Sequence, residues 1–295
     1  MNFRKPTAEL FIPDGATPAT AFSRITTLGI GAHQDDIEFM AVPGILDGFA
    51  NPQRPFGGVI CTNGAGSARI GPYAQVTDEE MCQLRRLEQR AAATIGQYGF
   101  VAQLDYRSAE VKTPACPELL ADLTALIQAT RPTTIYTHNP ADKHDTHIAV
   151  AIAVLLAVRA LPKEQRPARL YGCEVWRDLD WLPDSEKQVF DISTRQNLQS
   201  ALTGVYDSQI AGGKRYDLAA MGRRRAHATF LDSHTADKTE LATLAMDLTP
   251  LIQDDSRDIA EYVTGFIQLF AAEVRSKLLA RLPAVAAATA HADAK

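Results

Sequence analysis

Residues 25–36 read ITTLGIGAHQDD, and this stretch decides the fold class. Its first part, Ile25–Gly31, is a short β-branched and apolar run that predicts a strand. A polar cluster, His33–Asp36, interrupts the run, and an apolar stretch follows through Leu46. The predicted strand is the first of a series that alternates with helices.

That alternation continues through about the first 160 residues and predicts an α/β fold with a mostly parallel central sheet, covered by helices on both faces. Further strands are predicted over Gly58–Thr62, Phe100–Tyr106, Thr133–Thr137, Tyr171–Trp176 and Gln188–Ile192. Helices are predicted from Asp78 and over Leu119–Ala129, Ile148–Leu161, Gln196–Thr203, Lys214–Thr229 and Ile259–Leu279.

No break in composition calls for a domain boundary. We therefore predict one domain over residues 1–283, in which residues 1–22 form an N-terminal extension. The segment after about Trp181 is expected to add helices that wall the pocket. The Ala-rich tail, 284–295, is predicted to fray because it has few large apolar anchors.

Composition excludes several classes of protein. The net charge is −5 and no basic face stands out, which argues against a nucleic-acid partner. No run of about 18 apolar residues occurs, so a membrane span is not predicted. The four cysteines lack CxxC spacing, which favours a reduced, cytoplasmic setting.

Unusual polar chemistry follows three of the predicted strands. The loops are His33–Asp36 after the first strand, Asn63–Tyr73 after the second and His138–His147 after the fourth. Parallel strands bring such loops together, because sites in these sheets lie beyond the carboxyl ends of the strands. We therefore expect the three loops to form one site.

The residues in these loops predict a divalent metal. Asp35 and Asp36 repel each other, and a cation would supply the counter-charge that their burial requires. His144 and His147 are three apart and share one face of a helical turn. His33, Asp36 and one of these two histidines make a His₂-carboxylate set, which with water is typical of catalytic zinc. Zinc lowers the pKa of bound water towards about 7, and Asp35 is then placed to accept a proton.

Two segments, Ala32–Glu38 and Asp142–His147, resemble the motifs of the PIG-L or LmbE-like de-N-acetylases. Arg85–Glu88 and Tyr206–Gln209 are also similar to segments of that family. Its members cleave acetyl groups from molecules that contain N-acetylglucosamine. The resemblance implies a Rossmann-like three-layer sandwich. It also implies the zinc ligands His33, Asp36 and His147, the general base Asp35, and a role for His144 in stabilising the tetrahedral intermediate or protonating the leaving amine.

Other site residues are assigned where the chain departs from the family pattern. Tyr206 stands where a histidine often helps to stabilise the oxyanion, and a tyrosine can also donate a hydrogen bond. Arg69 is a candidate to bind a hydroxyl or an anionic group of the substrate. Asp142 and Asp145 are placed with it among the substrate-binding residues, and either could replace the acid that orients the first histidine. The run Gly222–His227 is interpreted as a helix face against acids or solvent, with binding of a phosphorylated substrate as the alternative.

The function predicted from the sequence is hydrolysis of an N-acetyl group on a small, N-acetylglucosamine-like amino sugar, with Zn²⁺ or another divalent metal. One alternative is a zinc amidohydrolase of a different N-acyl substrate. Another is a non-catalytic sugar- or metal-binding protein on the same fold. A dinucleotide site is disfavoured because Gln34 stands where G-x-G-x-x-G needs its third glycine. The oligomeric state stays open, a homo-oligomer included.

Overall fold

Residues 1–283, which the computed structural model describes, form a central sheet of eight strands with helices on both faces. The predicted frayed tail, 284–295, lies outside the described residues. The strands are β1 (Glu9–Phe11), β2 (Thr27–Gly31), β3 (Phe56–Thr62), β4 (Phe100–Tyr106), β5 (Thr134–His138), β6 (Arg169–Cys173), β7 (Lys187–Asp191) and β8 (Ala242–Asp247).

The helices fill the connections between these strands and follow the last of them. The first six are α1 (Pro18–Ser23), α2 (Asp36–Met40), α3 (Val42–Gly48), α4 (Asp78–Ile95), α5 (Ser108–Val111) and α6 (Pro117–Thr130). The others are α7 (Asp145–Arg159), α8 (Gln196–Gly204), α9 (Asp207–Ile210), α10 (Tyr216–Phe230), α11 (Thr249–Gln253) and α12 (Ile259–Leu279). Within the described chain, no helix is both long and apolar enough to cross a membrane.

The strand order is β1-β4-β3-β2-β5-β6-β8-β7. The central strands from β4 to β6 pair in parallel, and antiparallel pairs lie only at the two edges. The predicted α/β class and mostly parallel sheet are confirmed. The sheet takes strands from residues 9–247, which supports our proposal of a single domain over residues 1–283.

Alternating strand residues separate the core into two layers. Leu28 and Ile30 of β2 belong to the apolar cluster that contains residues of α6 and α7. Ile60 of β3 and Tyr136 of β5 belong to a second cluster, with residues of α2, α4 and α8. This period of two is what a strand buried on both faces requires. The sheet and its two helical layers form the predicted three-layer sandwich.

Two strands escaped the sequence analysis. Strand β1 lies in the predicted N-terminal extension and pairs with β4. Strand β8 has the sequence ATLAMD, which is rich in helix formers, yet it is almost wholly buried between β6 and β7. Sheet pairing and burial override local propensity here. The helix predicted from Ile148 begins earlier, at Asp145, so that His147 lies in its first turn.

A long segment separates the antiparallel strands β7 and β8 along the chain. It runs over residues 193–240 and contains α8, α9 and α10. Its two ends are adjacent, because the Ile192 amide donates to the Leu241 carbonyl at 3.0 Å. The hydroxyls of Ser193 and Thr239 lie 2.6 Å apart and close the base of the segment.

Candidate active site

The predicted metal ligands lie where the strand order of the sheet reverses. From β2 the chain proceeds to β3 and β4 on one side, then returns to β5 on the other side of β2. The loops after β2 and β5 therefore begin next to each other at the same edge of the sheet and then run in opposite directions. Such a reversal opens a crevice at the carboxyl ends of the strands. His33 and Asp36 follow β2, and His147 follows β5, so the crevice collects all three.

Three ligand atoms form a nearly equilateral triangle. His33 Nδ1 lies 3.2 Å from Asp36 Oδ2 and 3.2 Å from His147 Nε2. The third side, His147 Nε2 to Asp36 Oδ2, is 3.4 Å. Ligand atoms held at about 2.0–2.1 Å around a tetrahedral zinc ion lie about 3.3 Å from one another. The donor set and its spacing therefore fit such an ion.

The protonation states of these groups also suit a cation. Burial opposes the ionisation of Asp36, but its contacts with His147 and His138 outweigh it and hold the pKa of this carboxyl well below its usual range. Burial lowers the pKa of His147 to about 4, which leaves the ring neutral at pH 7. A carboxylate and neutral imidazoles are the forms that bind metal.

Asp142 supports His147 from behind. Its Oδ2 lies 3.0 Å from His147 Nδ1, which leaves Nε2 directed at the triangle. The Asp142 carboxylate also accepts hydrogen bonds from the amides of Trp176 at 3.3 Å and Arg177 at 2.9 Å. Carboxylates that bind the second nitrogen of a ligating histidine fix its orientation. Asp142 does not line the cavity, and we propose that it orients His147, the alternative to the substrate-binding role predicted from the sequence.

His138 is a site residue that the sequence analysis left without a role. Its Nε2 accepts a hydrogen bond from the Ala32 amide at 2.9 Å, although this atom also lies 3.3 Å from Asp36 Oδ2. The ring stacks on His147 with centroids 3.9 Å apart. Asp36, His138 and His147 also offer ligand atoms within 4.8 Å of one another. Because the His138 Nε2 lone pair accepts from Ala32, we propose that His138 supports the ligand set rather than joining it. Its position as the last residue of β5 was the available signal.

Asp35 lies beside the triangle without belonging to it. It adopts φ of 90°, which turns its side chain away from that of Asp36 and towards α4. The Asp35 carboxylate accepts from the Arg85 guanidinium at 2.8 Å, and its amide donates to Gln89 Oε1 at 3.3 Å. Burial raises the pKa of Asp35 to about 7 even though Arg85 opposes the shift. A carboxyl with such a pKa suits proton transfer near neutral pH.

Arg85 contacts two carboxylates on or near α4. Its guanidinium bonds Asp35 and also lies 3.3 Å from Glu88 Oε2. Glu88 in turn accepts from the amide and the hydroxyl of Ser208, each at 2.7 Å. The two family-like segments Arg85–Glu88 and Tyr206–Gln209 are therefore joined by one network that reaches Asp35.

His144 lies at the mouth of the triangle. Its ring centroid is 5.0 Å from that of His33 and 4.6 Å from that of His147. Burial lowers the pKa of His144, and the nearby His33 acts in the same direction. The Nδ1 atom is buried without a hydrogen-bond partner within residues 1–283. Because His144 is a half-buried imidazole that lines the cavity, it can bind or protonate a ligand there.

Three predicted site residues lie elsewhere. Tyr206 is fully buried, does not line the cavity and donates its hydroxyl to Gln89 at 3.0 Å. Arg69 is also absent from the cavity lining and bonds Asp78 at 2.7 Å and the Ala65 carbonyl. Asp145 is exposed in the first turn of α7. In this arrangement none of the three lines the cavity.

The triangle opens into a cavity of about 600 Å³. Its walls include Asp35 and His144. They also include Arg223 and Arg224, which belong to the run Gly222–His227 that the sequence analysis interpreted as a helix face, with ligand binding as the alternative. Other lining residues were given no role by the sequence analysis, and the principal ones are Phe39, Glu174, Trp176, Lys214 and Tyr216.

Residues 28–158 match the PIG-L family, described as GlcNAc-PI de-N-acetylase. The matched part includes β2, β5 and all three residues of the triangle. The chain therefore contains a PIG-L family domain over these residues, as the sequence motifs predicted. A comparison with curated proteins gave no match.

Solved structures share the fold at low sequence identity. The N,N'-diacetylchitobiose deacetylase of Pyrococcus horikoshii matches with a TM-score of 0.61 and 14% identity, covering 84% of this chain and 92% of its own. The conserved protein TT1542 of Thermus thermophilus gives 0.60 and 18%, covering 79% and 99%. GalB of Pseudomonas putida, a 4-carboxy-2-hydroxymuconate hydratase, gives 0.58 and 19%, covering 75% and 95%. Because a deacetylase and a hydratase share this fold, the reaction must be argued from the site.

Proposed function

We propose that the protein is a zinc-dependent deacetylase that hydrolyses the N-acetyl group of an N-acetylglucosamine-like amino sugar. The observation that carries the proposal is the triangle of His33, Asp36 and His147, with Asp35 beside it at the base of a 600 Å³ cavity. The PIG-L domain and the deacetylases among the structural neighbours support it.

In the proposed site, His33, Asp36 and His147 hold the ion. Bound zinc supplies Lewis-acid polarisation of the acetamide carbonyl and makes water more acidic. We assign Asp35 as the base that accepts a proton from the attacking water, because it lines the cavity and is not needed as a ligand.

His144 completes the proposed division of roles. Its ring lines the cavity and is placed to stabilise the oxygen of the tetrahedral intermediate or to protonate the departing nitrogen. The water oxygen bonds to the acyl carbon, the carbon–nitrogen bond breaks, and the proton taken from water reaches the amine. The products are acetate and the free amino sugar.

A substrate panel with purified, zinc-loaded protein tests the proposal. It contains N-acetylglucosamine glycosides, the same sugars with longer N-acyl groups, and an unsaturated carboxylic acid for hydration. We expect stoichiometric acetate and free amine from the acetylated sugars, and loss of both products with a chelator. Turnover only of the longer acyl groups would indicate another amidohydrolase, hydration alone would indicate the hydratase reaction, and sugar binding without turnover would indicate a binding protein.

A further inference from the structure

Within residues 1–283, the C-terminal helix α12 is buried only through its first half. Val263 and Phe266 pack into the core, and the Tyr262 hydroxyl donates to the Asp247 carbonyl at 2.7 Å. Beyond Phe266, almost every residue of the helix is exposed to solvent. Most helical stability in proteins comes from the packing of an apolar face, so a partner on the second half of α12 would stabilise it.

The exposed half of α12 carries an apolar stripe of four residues. Ile267, Phe270, Val274 and Leu278 are 47%, 39%, 41% and 57% exposed. They follow Val263 at intervals of four, three, four and four residues, which places all five side chains on one face of the helix. Single exposed apolar residues are common, but a continuous set of them marks a surface for interaction.

A groove of about 650 Å³ lies beside the first half of the same helix, where α12 approaches α7. Its apolar lining includes Ile148 and Ile152 of α7 and Ile259 and Val263 of α12. Val263 also begins the face that carries the stripe. The groove and the stripe therefore follow one another along a single face of α12.

The two ends of this face differ in charge. Within the described chain, Asp258 at the groove and Arg275 and Arg281 in the exposed half make no ion pair. The other charged groups at the groove are paired locally, Asp255 with Arg159 and Arg166, and Arg257 with Asp254. The acidic end of the face thus matches the basic end in sign.

Antiparallel pairing of two α12 helices would bring these features together. Leu278 lies eight residues beyond Phe270 and Val263 lies seven residues before it, which at 1.5 Å per residue is about 12 Å and about 11 Å. With a two-fold axis beside Phe270, Leu278 of one copy therefore lies opposite Val263 of the other. Val274 then lies opposite Ile267, and Arg281 comes to the acidic end of the groove.

We propose that the protein forms a two-fold dimer through antiparallel pairing of α12, in which the stripe of each copy covers the groove of the other. A two-fold interface uses the same surface on both subunits, so this surface must complement itself. The face of α12 meets that condition in shape, in apolar content and in charge. The inference is independent of the proposed function, because α12 does not line the catalytic cavity.

Sedimentation equilibrium of the full-length protein over a wide range of concentration measures the Kd of the dimer. Phe270→Glu and Leu278→Glu introduce charge into the stripe. Leu269→Glu and Leu279→Glu are the matched controls, because these leucines are 51% and 59% exposed on the same helix but lie outside the stripe. Far-UV circular dichroism and a cooperative melting transition establish that each variant is folded.

We expect a concentration-dependent dimer for the wild type and for both controls. Phe270→Glu should raise Kd by at least about 100-fold, because central residues dominate the free energy of an interface and a two-fold dimer contains the change twice. Leu278→Glu should raise it by at least about 10-fold, since the charge would enter the apolar groove. A monomer at every concentration, or a dimer that Phe270→Glu and Leu269→Glu weaken equally, would overturn the inference.

Disulfide formation tests the antiparallel register. Ala260→Cys and Leu278→Cys are made singly and together in a Cys82→Ser, Cys116→Ser background, which removes the two partly exposed native thiols. The double variant should form covalent dimers on mild oxidation. Neither single variant should do so, because the two copies of each position would lie more than about 20 Å apart. Covalent dimers from the single variants would indicate parallel pairing and contradict the proposal.

A vesicle experiment tests the other kind of partner that an apolar stripe with basic neighbours could bind. The protein is mixed with vesicles of anionic or neutral lipid and sedimented. We expect the protein to remain in the supernatant as a dimer. Protein that is monomeric in solution and binds anionic vesicles through Phe270 and Leu278 would assign the stripe to a membrane surface and refute the dimer.

Discussion

The cavity has two walls whose charges are balanced differently. The histidine wall contains the triangle and His144, and the α10 wall contains Tyr216, Arg223 and Arg224. On the histidine wall, Asp36 contacts histidines and Asp142 bonds His147, and the unpartnered Nδ1 atoms of His138 and His144 are exceptions. On the α10 wall, Arg223 and Arg224 have only neutral acceptors within the described chain. The histidine wall is thus built around its own charges, whereas the α10 wall holds its cations with neutral acceptors.

The same division follows the chain. The triangle lies within residues 28–158, which match the PIG-L family, whereas Trp176, Tyr216 and both arginines lie beyond that match. The family-matched part therefore holds the triangle and part of the cavity lining, and the remainder of the chain holds the α10 wall. Variants of either wall should therefore have different signatures.

The largest effect is expected from His147→Ala. The variant removes one of the three proposed ligands, so it should abolish tight zinc binding. It should also lower kcat/KM by at least about 10³-fold, because a metal contributes several kcal/mol to such reactions. Metal content after dialysis and turnover are measured together. Asp145→Asn is the control, since this exposed neighbour should keep both. Normal zinc affinity in His147→Ala would remove His147 from the ligand set.

Asp35→Asn should separate chemistry from metal binding. The side-chain volume is similar and the three ligands remain, so zinc should stay bound. Turnover should fall about 10²–10⁴-fold, the usual effect of removing a general acid–base group. Metal analysis and single-turnover rates on the same preparation decide the result. An Asp35→Asn enzyme with near-normal turnover would exclude Asp35 as the base.

A smaller effect is expected from Asp142→Asn. The amide cannot hold the His147 ring as a carboxylate does, so zinc affinity should weaken by about 10–100-fold. Competition with a chelator of known affinity measures the change. At saturating zinc, turnover should largely recover, which distinguishes this variant from His147→Ala. Loss of substrate affinity at unchanged zinc affinity would instead restore the substrate-binding role predicted from sequence.

Tyr206→Phe should have the smallest effect on catalysis. The variant removes one buried hydrogen bond to Gln89 and should lower the free energy of unfolding by about 1–3 kcal/mol, because Gln89 loses a partner. Urea denaturation measures the loss, and kcat should change by less than about threefold. A decrease in kcat beyond about 100-fold, with zinc retained, would return Tyr206 to the role of oxyanion donor.

The sequence predicted the central strands because their apolar, β-branched runs have a clear period and end in polar loops. It also predicted that the loops after β2 and β5 meet, since parallel pairing requires this. His33, Asp36 and His147 lie together for that reason. The local sequence was sufficient to predict these neighbours, because parallel strands place their following loops at the same edge of the sheet.

Residues whose placement depends on distant contacts were not predictable in this way. The local sequence of β8 favours a helix, and its strand conformation depends on pairing with β6 and β7. The direction of a side chain was equally hidden, since Arg69 turns to Asp78 and Asp142 turns to His147. Arg223 and Arg224 look like a solvated helix face in isolation, and only the packing of α10 places them on the cavity.

The closure of residues 193–240 between β7 and β8 makes the α10 wall a replaceable cassette. The ends of the segment meet at Ile192 and Leu241, which are joined by a backbone hydrogen bond. The connection to the sheet therefore does not depend on the length of the segment. The entropy of closing such a loop rises only slowly with length, by about 0.6 kcal/mol for each doubling. Insertions, deletions or a wholesale exchange can therefore accumulate there while the strands keep their register. A transplant of this segment between homologues would change the α10 wall, and it would have to keep Ser208, because the bonds from Ser208 to Glu88 connect the segment to Arg85 and Asp35.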